Sequence, residues 1–414
     1  MKVIHLSSSN NGGAGIAASR INECIQKKTI FDSKIIFDND PGIKNQLFWF
    51  SFFQKSKIKK IKRYVSKNLN KLQGSPNPIK HSLSFLPSFF DQYLNNSEND
   101  IVHLHWIQNE MLSIEEIGRI KKPIVWTLHD TWSFCGSEHY PNGFDDIRFK
   151  NSYSKTSRSK NHNKLDLDRW CWLRKKHHWK RKFYIVCPSH WMANFAKESS
   201  LMKNMDISVI PNPIDTELFK PIPKKISRDL FKIPIDKKVI LFGAVGALND
   251  KRKGSDLLLK ALDYTSKEIS DAIILIFGDN KKYKDIKCGI PIYRLGNIND
   301  KQSLSCLYSA ADLFVIPSRM DNLPNTGIEA SACGLPLVAF NTSGLSDIVI
   351  QNENGFLIDK FNYKEMGRAI TNILNNQNLT RKFSLNSRNI AINSYSYEKI
   401  SNKYIHLYKR ILSS

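Results

Sequence analysis

The sequence predicts an α/β protein with two doubly wound parallel sheets. Three observations carry this. Short apolar segments alternate with helical patterns along the chain, as βαβ units do. The run Pro211-Asn212-Pro213-Ile214-Asp215 interrupts that alternation, because two prolines remove hydrogen-bond donors and restrict their neighbours. With 414 residues, 41% of them hydrophobic, the chain can bury two cores of ordinary size. The expected division is residues 1–210 and 211–390, two Rossmann-like domains facing a cleft, with a helix at 391–414 crossing back to the first domain.

In the first half, a strand at residues 2–6 feeds the Gly-rich turn Ser7 to Gly15 and a helix over 16–26. Such a turn lets backbone N–H groups approach an anion at a helix N-terminus, although its spacing is not that of a dinucleotide fingerprint. Further strands are expected at 101–105, 123–128, 184–186 and 207–210. Beyond the boundary, strands are expected at 238–243, 272–277, 292–295, 313–316, 337–339 and 355–357. Sheets of this kind bind ligands outside the carboxyl ends of their strands.

The most informative segment runs from Leu313 to Pro336, read as strand, loop and short helix. Asn322 can cap, Pro324 suits the first turn, Gly334 suits a left-handed stop and Pro336 prevents continuation. The N–H groups at the start of that helix suit a pyrophosphate, and Glu329 lies further in, where it can accept from sugar hydroxyls. Asp321 and Glu329 are the acids of the segment. At the start of the second half, Ile240 to Gly254 reads as a strand, a turn containing Gly246 and a basic tip, Lys251-Arg252-Lys253. In the first half, His103-Leu-His105-Trp106 and His129-Asp130-Thr-Trp132 lie at strand ends. His103 and His105 are expected on opposite faces of their sheet, as structural or acceptor-lining residues.

These segments together resemble the retaining glycosyltransferases of family 4, of the bacterial capsule, O-antigen and exopolysaccharide type, and the resemblance covers nearly the whole chain. It implies the GT-B architecture, a nucleoside diphosphate sugar as donor, and no metal or other cofactor. It places Asp321 on hydroxyls of the donor sugar and Glu329 on the ribose. Lys253, with Arg252, faces the leaving diphosphate, the main electrostatic task of such catalysis. Gly13, Gly246, Leu323, Asn325 and Thr326 complete the donor-binding set, and His129 contacts the donor sugar. Relatives usually carry Glu where this chain has Asp321, which bears on the sugar held. Many carry an Arg where this chain has Ala247, which leaves Arg252 or another basic residue to supply the second charge. The Cys-rich continuation that many relatives show after Glu138-His139-Tyr140 is absent.

A net charge of +24 concentrates polyanions of any kind, or reflects a Lys-rich soluble surface. Leu47 to Phe53, running into Lys55, Lys57, Lys59, Lys60, Lys62 and Arg63, fits an interfacial anchor on an anionic membrane or a helix resting its aromatics on the sheet. A second basic stretch, Arg169 to Lys182, is expected near the acceptor mouth. Both favour a glycan or lipid-linked acceptor over nucleic acid, for which no recognition motif is present. No apolar run is long enough to span a membrane, and the seven scattered cysteines suggest neither a disulfide framework nor zinc. The expected location is cytosolic, peripheral at the inner face of the membrane. The competing readings are a nucleotide-sugar epimerase or phosphorylase on the same architecture, and a basic nucleic-acid-binding protein.

Overall fold

The computed structural model describes residues 1–38, 48–158, 161–244, 246, 248, 250–279 and 288–413. Two compact units emerge: Met1–Ile210 with Ser401–Ser414, and Pro211–Ile400.

The first unit contains β1 (Lys2–Ser7), α1 (Gly12–Lys28), β2 (Asp32–Phe37), α2 (Phe48–Phe53), α3 (Ser56–Leu69), α4 (Phe90–Asn95), β3 (Ile101–Leu104), α5 (Ile114–Arg119), β4 (Ile124–Thr127), α6 (Leu167–His178), β5 (Tyr184–Cys187), α7 (His190–Glu198) and β6 (Asp206–Val209). Its sheet is parallel throughout, in the order β2-β1-β3-β4-β5-β6. All of its strands but β2 were legible from apolar runs. The exception lies at the sheet edge, where Asp32 and Lys34 face water and break the run. Local signals are honoured elsewhere: Ser113 and Glu116 close a capping box on α5, each side chain accepting the other's backbone N–H.

The second unit contains α8 (Lys224–Leu230), β7 (Lys238–Gly243), α9 (Ser255–Thr265), β8 (Ala272–Phe277), β9 (Ile292–Gly296), α10 (Lys301–Ala310), β10 (Leu313–Ile316), α11 (Asn325–Ala332), β11 (Leu337–Phe340), β12 (Gly355–Ile358), α12 (Tyr363–Asn375) and α13 (Gln377–Ile390). Its parallel sheet has the order β12-β11-β10-β7-β8-β9. Strand β8, AIILIF, is buried at every position, as a strand covered by helices on both faces must be. The last helix, α14 (Tyr397–Ser413), starts in this unit, and its residues from Ser401 onward belong to the first.

Each sheet reverses its strand order once, between β1 and β3 in the first and between β7 and β10 in the second. A crevice opens at such a reversal because the flanking connections leave to opposite faces. Among the described residues no helix is long and apolar enough to cross a membrane.

Candidate active site

At the reversal of the second sheet, the loops that follow β7 and β10 meet. The first closes through a short turn, Lys251–Lys253, whose Asp250 side chain accepts from the Arg252 N–H. Gly254 ends it with φ +69°, and a Cβ there would sit 1.8 Å from the Pro317 carbonyl oxygen, so only glycine lets the two loops touch. The Arg319 N–H then donates to the Arg252 carbonyl at 2.6 Å, tying one loop to the other. This contact delivers Lys253 to Asp321, with Nζ to Oδ2 at 2.5 Å. Arg252 turns away and pairs with Asp250 at 2.6 Å. The Asp321 carboxylate is further fixed by the Asn322 N–H at 3.1 Å, and its backbone by the Ser343 hydroxyl at 2.9 Å.

Helix α11 starts one turn beyond Asp321. Its N-cap position is Pro324, and no side chain caps it. The expected Asn322 cap is not formed, because Asn322 lies two residues before Pro324, outside the first turn. A proline at that position has no N–H to offer, and the amides that follow it form the partially positive end of the helix. Asn325 accepts from the Asn212 side chain at 3.1 Å, which also donates to the Leu323 carbonyl at 3.2 Å, so the boundary segment braces the loop. Thr326 is partly exposed in the first turn. Glu329, 4% exposed, accepts from the Tyr308 hydroxyl at 2.7 Å, which leaves the carboxylate oriented by a fully buried ring. Gly334 ends the helix at φ +76°. Gly246 has φ +67°, a Cβ there would meet nothing within 4 Å among the described residues, and its N–H donates to the Gly278 carbonyl at 3.1 Å. Ala247 lies outside the described residues.

In the first unit, Gly12 and Gly13 begin α1 with no side-chain cap at Asn11 and no acid in the first turn. A Cβ at either glycine would meet nothing within 4 Å among the described residues. His129 follows β4. Its Nε2 lies 3.1 Å from His105 Nδ1, and His105 Nε2 lies 2.9 Å from His5 Nδ1. His103 joins this group on the same face, its ring 4.3 Å from that of His105 and 4.6 Å from that of His5. The expectation of opposite faces was wrong on parity, since residues two apart in a strand share a face. His5, His103 and His105 bring ring nitrogens close enough for one metal ion. Both nitrogens of His105 and Nδ1 of His5 are taken up in the ring-to-ring contacts, and His103 donates or accepts at Tyr408 (2.6 Å) and Thr127 (2.7 Å), which leaves only His5 Nε2 of the three rings unpartnered among the described residues. Burial pushes His5 down to about 3 and His129 to about 4, and His103 and His105 also lie well below the ordinary histidine value. Next to His129, the Asp130 carboxylate pairs with His139 at 2.6 Å and accepts from Trp106 Nε1 at 2.8 Å.

Two sequence expectations shift. Within the stretch Arg169 to Lys182, Arg174 and Lys175 are structural, while Lys176, Lys180, Arg181 and Lys182 are exposed. Lys175 is fully buried and donates to the carbonyls of Trp132, Cys135 and Gly136, while Arg174 grips Glu115 and the carbonyls of Leu83 and Ser84. In α3, Lys59 and Arg63 pair with Asp38, and Lys62 donates to the Glu110 carbonyl at 2.8 Å. The outer face carries Lys57, Lys60, Ile61, Tyr64, Val65 and Lys67 instead. Phe50 is buried and stacks on Tyr93 at 4.8 Å, so at least this part of the aromatic run rests on the fold. Leu47 and the side chains of Phe48 and Trp49 lie outside what is described. Sequence reasoning passed over Tyr308 and His5, one hidden in a helix and the other in a strand with no flanking motif. It also passed over a buried network in which Asp168 meets Ser137 (2.5 Å) and His81 (3.0 Å).

Comparison with known proteins fits this geometry. Residues 55–218 match the family described as Glycosyltransferase Family 4, and residues 225–390 match Glycosyl transferases group 1. An uncharacterized glycosyltransferase of Haemophilus influenzae is 33% identical over 156 residues, 36% of this chain and 43% of that protein. The UDP-Gal:alpha-D-GlcNAc-diphosphoundecaprenol alpha-1,3-galactosyltransferase of Escherichia coli is 28% identical over 211 residues, 49% of this chain and 54% of that protein. The chain thus spans about half the length of these curated relatives. Among solved structures, Anabaena Alr3699/HepE in complex with UDP-glucose superposes with a TM-score of 0.64 at 16% identity, covering 99% of this chain and 100% of the other.

Proposed function

This chain belongs to the group 1 glycosyltransferases with a family 4 domain, and from that premise we propose that it transfers a sugar, with retention, from a nucleoside diphosphate sugar to a lipid-linked glycan in bacterial surface polysaccharide synthesis. The observation that carries the reading is the meeting of Lys253, Asp321 and the uncapped start of α11 at the strand-order reversal of the second sheet. A cation and the first backbone amides of α11 converge there, with Asp321 just before the helix start and Glu329 further along the same segment. This is the arrangement a diphosphate followed by a polyhydroxylated ring requires.

In this reading Lys253 neutralises charge on the leaving diphosphate while the amides of α11 hold its other oxygens. Asp321 accepts from hydroxyls of the sugar and Glu329 accepts from the ribose, and Gly13 and His129 are the residues that the family resemblance assigns to the donor in the first unit. The glycosidic bond to the departing phosphate breaks as the acceptor oxygen bonds to the same face of the sugar, and the acceptor proton passes to the phosphate oxygen. The E. coli relative is named for a UDP-galactose donor and a diphosphoundecaprenol acceptor, which supports a membrane-borne acceptor here. The outer face of α3 supports contact with an anionic membrane surface, and with it a peripheral location at the inner face of the membrane.

A panel of nucleoside diphosphates and their sugars, read by the rise in unfolding temperature, tests the donor, because a ligand of the folded state stabilises it by mass action. Stabilisation by one nucleoside diphosphate that Lys253→Ala abolishes is the expected result. No response to any member of the panel would sink the reading.

A further inference from the structure

His5, His105 and His129 form a single hydrogen-bonded line of imidazoles across β1, β3 and β4, running from the buried interior to the carboxyl end of the sheet. We infer that His5 and His105 are positioning residues that hold His129 in its Nδ1–H tautomer, so that His129 offers a fixed N–H donor, not a lone pair, to an oxygen of the ligand. The value of that donor to transfer rests on the proposed role of His129 at the donor sugar. The tautomer itself does not.

The geometry leaves few choices. A neutral imidazole carries one N–H, and each ring-to-ring contact needs one donor and one acceptor. Burial keeps all three rings neutral at physiological pH. If both contacts are made, only two arrangements remain. The proton sits on Nδ1 of all three rings, or it sits on Nε2 of all three.

The two ends decide between them. At the outer end His129 is partly exposed, and its Nδ1 makes no hydrogen bond among the described residues, so either arrangement is tolerated. At the inner end His5 is fully buried, and its Nε2 has no hydrogen-bond partner among the described residues. The Nε2 arrangement would leave a buried N–H with nothing to accept it. The Nδ1 arrangement leaves only a bare lone pair, the less costly kind of orphan. His103 does not compete for the line, since Tyr408 and Thr127 occupy both of its nitrogens and it contributes only ring stacking.

An N–H donor aimed from His129 selects an acceptor oxygen on the ligand, such as a sugar hydroxyl or a phosphate oxygen. The inference therefore concerns how the ligand is oriented as well as how it is held. Free histidine prefers the opposite tautomer, so the predicted state is one the fold has to impose.

Nitrogen-15 NMR of the imidazoles in the full chain, with His129 assigned by its loss in His129→Asn, reads the proton position directly and needs no substrate. The expected result is a protonated Nδ1 and a bare Nε2 on His129. His105→Phe removes the donor to Nε2 and should shift His129 toward Nε2–H, whereas His105→Gln, which can still donate, should restore Nδ1–H. An Nε2–H tautomer in the unaltered chain overturns the inference, as does a tautomer unmoved by His105→Phe. With a donor sugar in hand, His105→Phe should slow transfer by roughly tenfold, the worth of one hydrogen bond, and leave free nucleoside diphosphate binding unchanged. The predicted tautomer together with transfer indifferent to His129→Ala would leave the inference standing and overturn the functional role of His129.

Discussion

Lys253 and Asp321 neutralise each other at 2.5 Å, so a diphosphate must compete with Asp321 for the ammonium. The competition gives the two residues opposite signatures. Lys253→Ala removes a charge-assisted contact worth about 1.5 to 3 kcal/mol and should weaken nucleoside diphosphate binding by roughly tenfold to a hundredfold. Asp321→Asn frees Lys253 and removes a carboxylate from the neighbourhood of the phosphates. Free diphosphate should then bind several-fold more tightly while transfer slows, since the amide no longer accepts from sugar hydroxyls as a carboxylate does. Titration calorimetry of both variants with the free diphosphate decides, and equal weakening by both would separate the pair from the phosphate. Glu329, held by Tyr308, should behave differently again: Glu329→Ala ought to weaken nucleotide and nucleotide sugar by a similar factor if it serves the ribose. Sequence showed Lys253, Asp321 and Glu329 as residues but not the pairing, because 68 residues separate Lys253 from Asp321 and only the close approach at Gly254 brings them together.

At the scale of the element, α3 has two unlike faces. Toward the fold, Lys59, Lys62, Arg63 and Ser66 are tied to Asp38 and Glu110. Toward water, Ile61 (57% exposed), Tyr64 (70%) and Val65 (42%) make an apolar stripe at helical spacing between Lys57, Lys60 and Lys67. The sequence displayed the lysines as one basic run, and nothing in their order could tell the paired from the exposed, because Asp38 and Glu110 reach the helix from distant segments. The structure thus divides the experiment. Replacing Lys57, Lys60 and Lys67 by Gln should weaken binding to vesicles rich in anionic lipid by on the order of a hundredfold, at about 1 kcal/mol per lysine. The unfolding temperature should stay put. Replacing Lys59 and Lys62 should do the reverse, lowering the unfolding temperature and sparing vesicle binding. Vesicle sedimentation beside a melting curve separates the two outcomes, and intact binding in the outer-face variant would count against membrane docking.

At the scale of the whole molecule, the alternation of strands and helices made both sheets legible, and so did the prolines that divide the units. The sheet order and the burial of polar clusters were not legible, because both depend on which strands become neighbours. The histidines of the first sheet show the consequence. His5 and His103 are directly paired in the β1–β3 register, and α14 returns to lay Tyr404 and Tyr408 against His103; His5, His103 and His105 are sealed away from water and His129 alone of the four is partly exposed. Their folded values lie below the ordinary 6.5, at about 3 for His5 and about 4 for His129. The unfolded chain therefore binds more protons than the folded one at any pH between these values. Stability is fully present above about pH 6.5 and is lost as pH falls below it, by up to about 1.4 kcal/mol per pH unit for each such histidine. Carboxylates contribute their own acid loss at lower pH, so the informative window is pH 6.5 to 5. In that window the unfolding temperature of His5→Phe should fall less steeply than that of the unaltered chain, even if the variant starts from a lower value at pH 8. Parallel curves for the two proteins, measured by calorimetry across the window, would mean that His5 is not held neutral by the fold and that the acid sensitivity lies elsewhere.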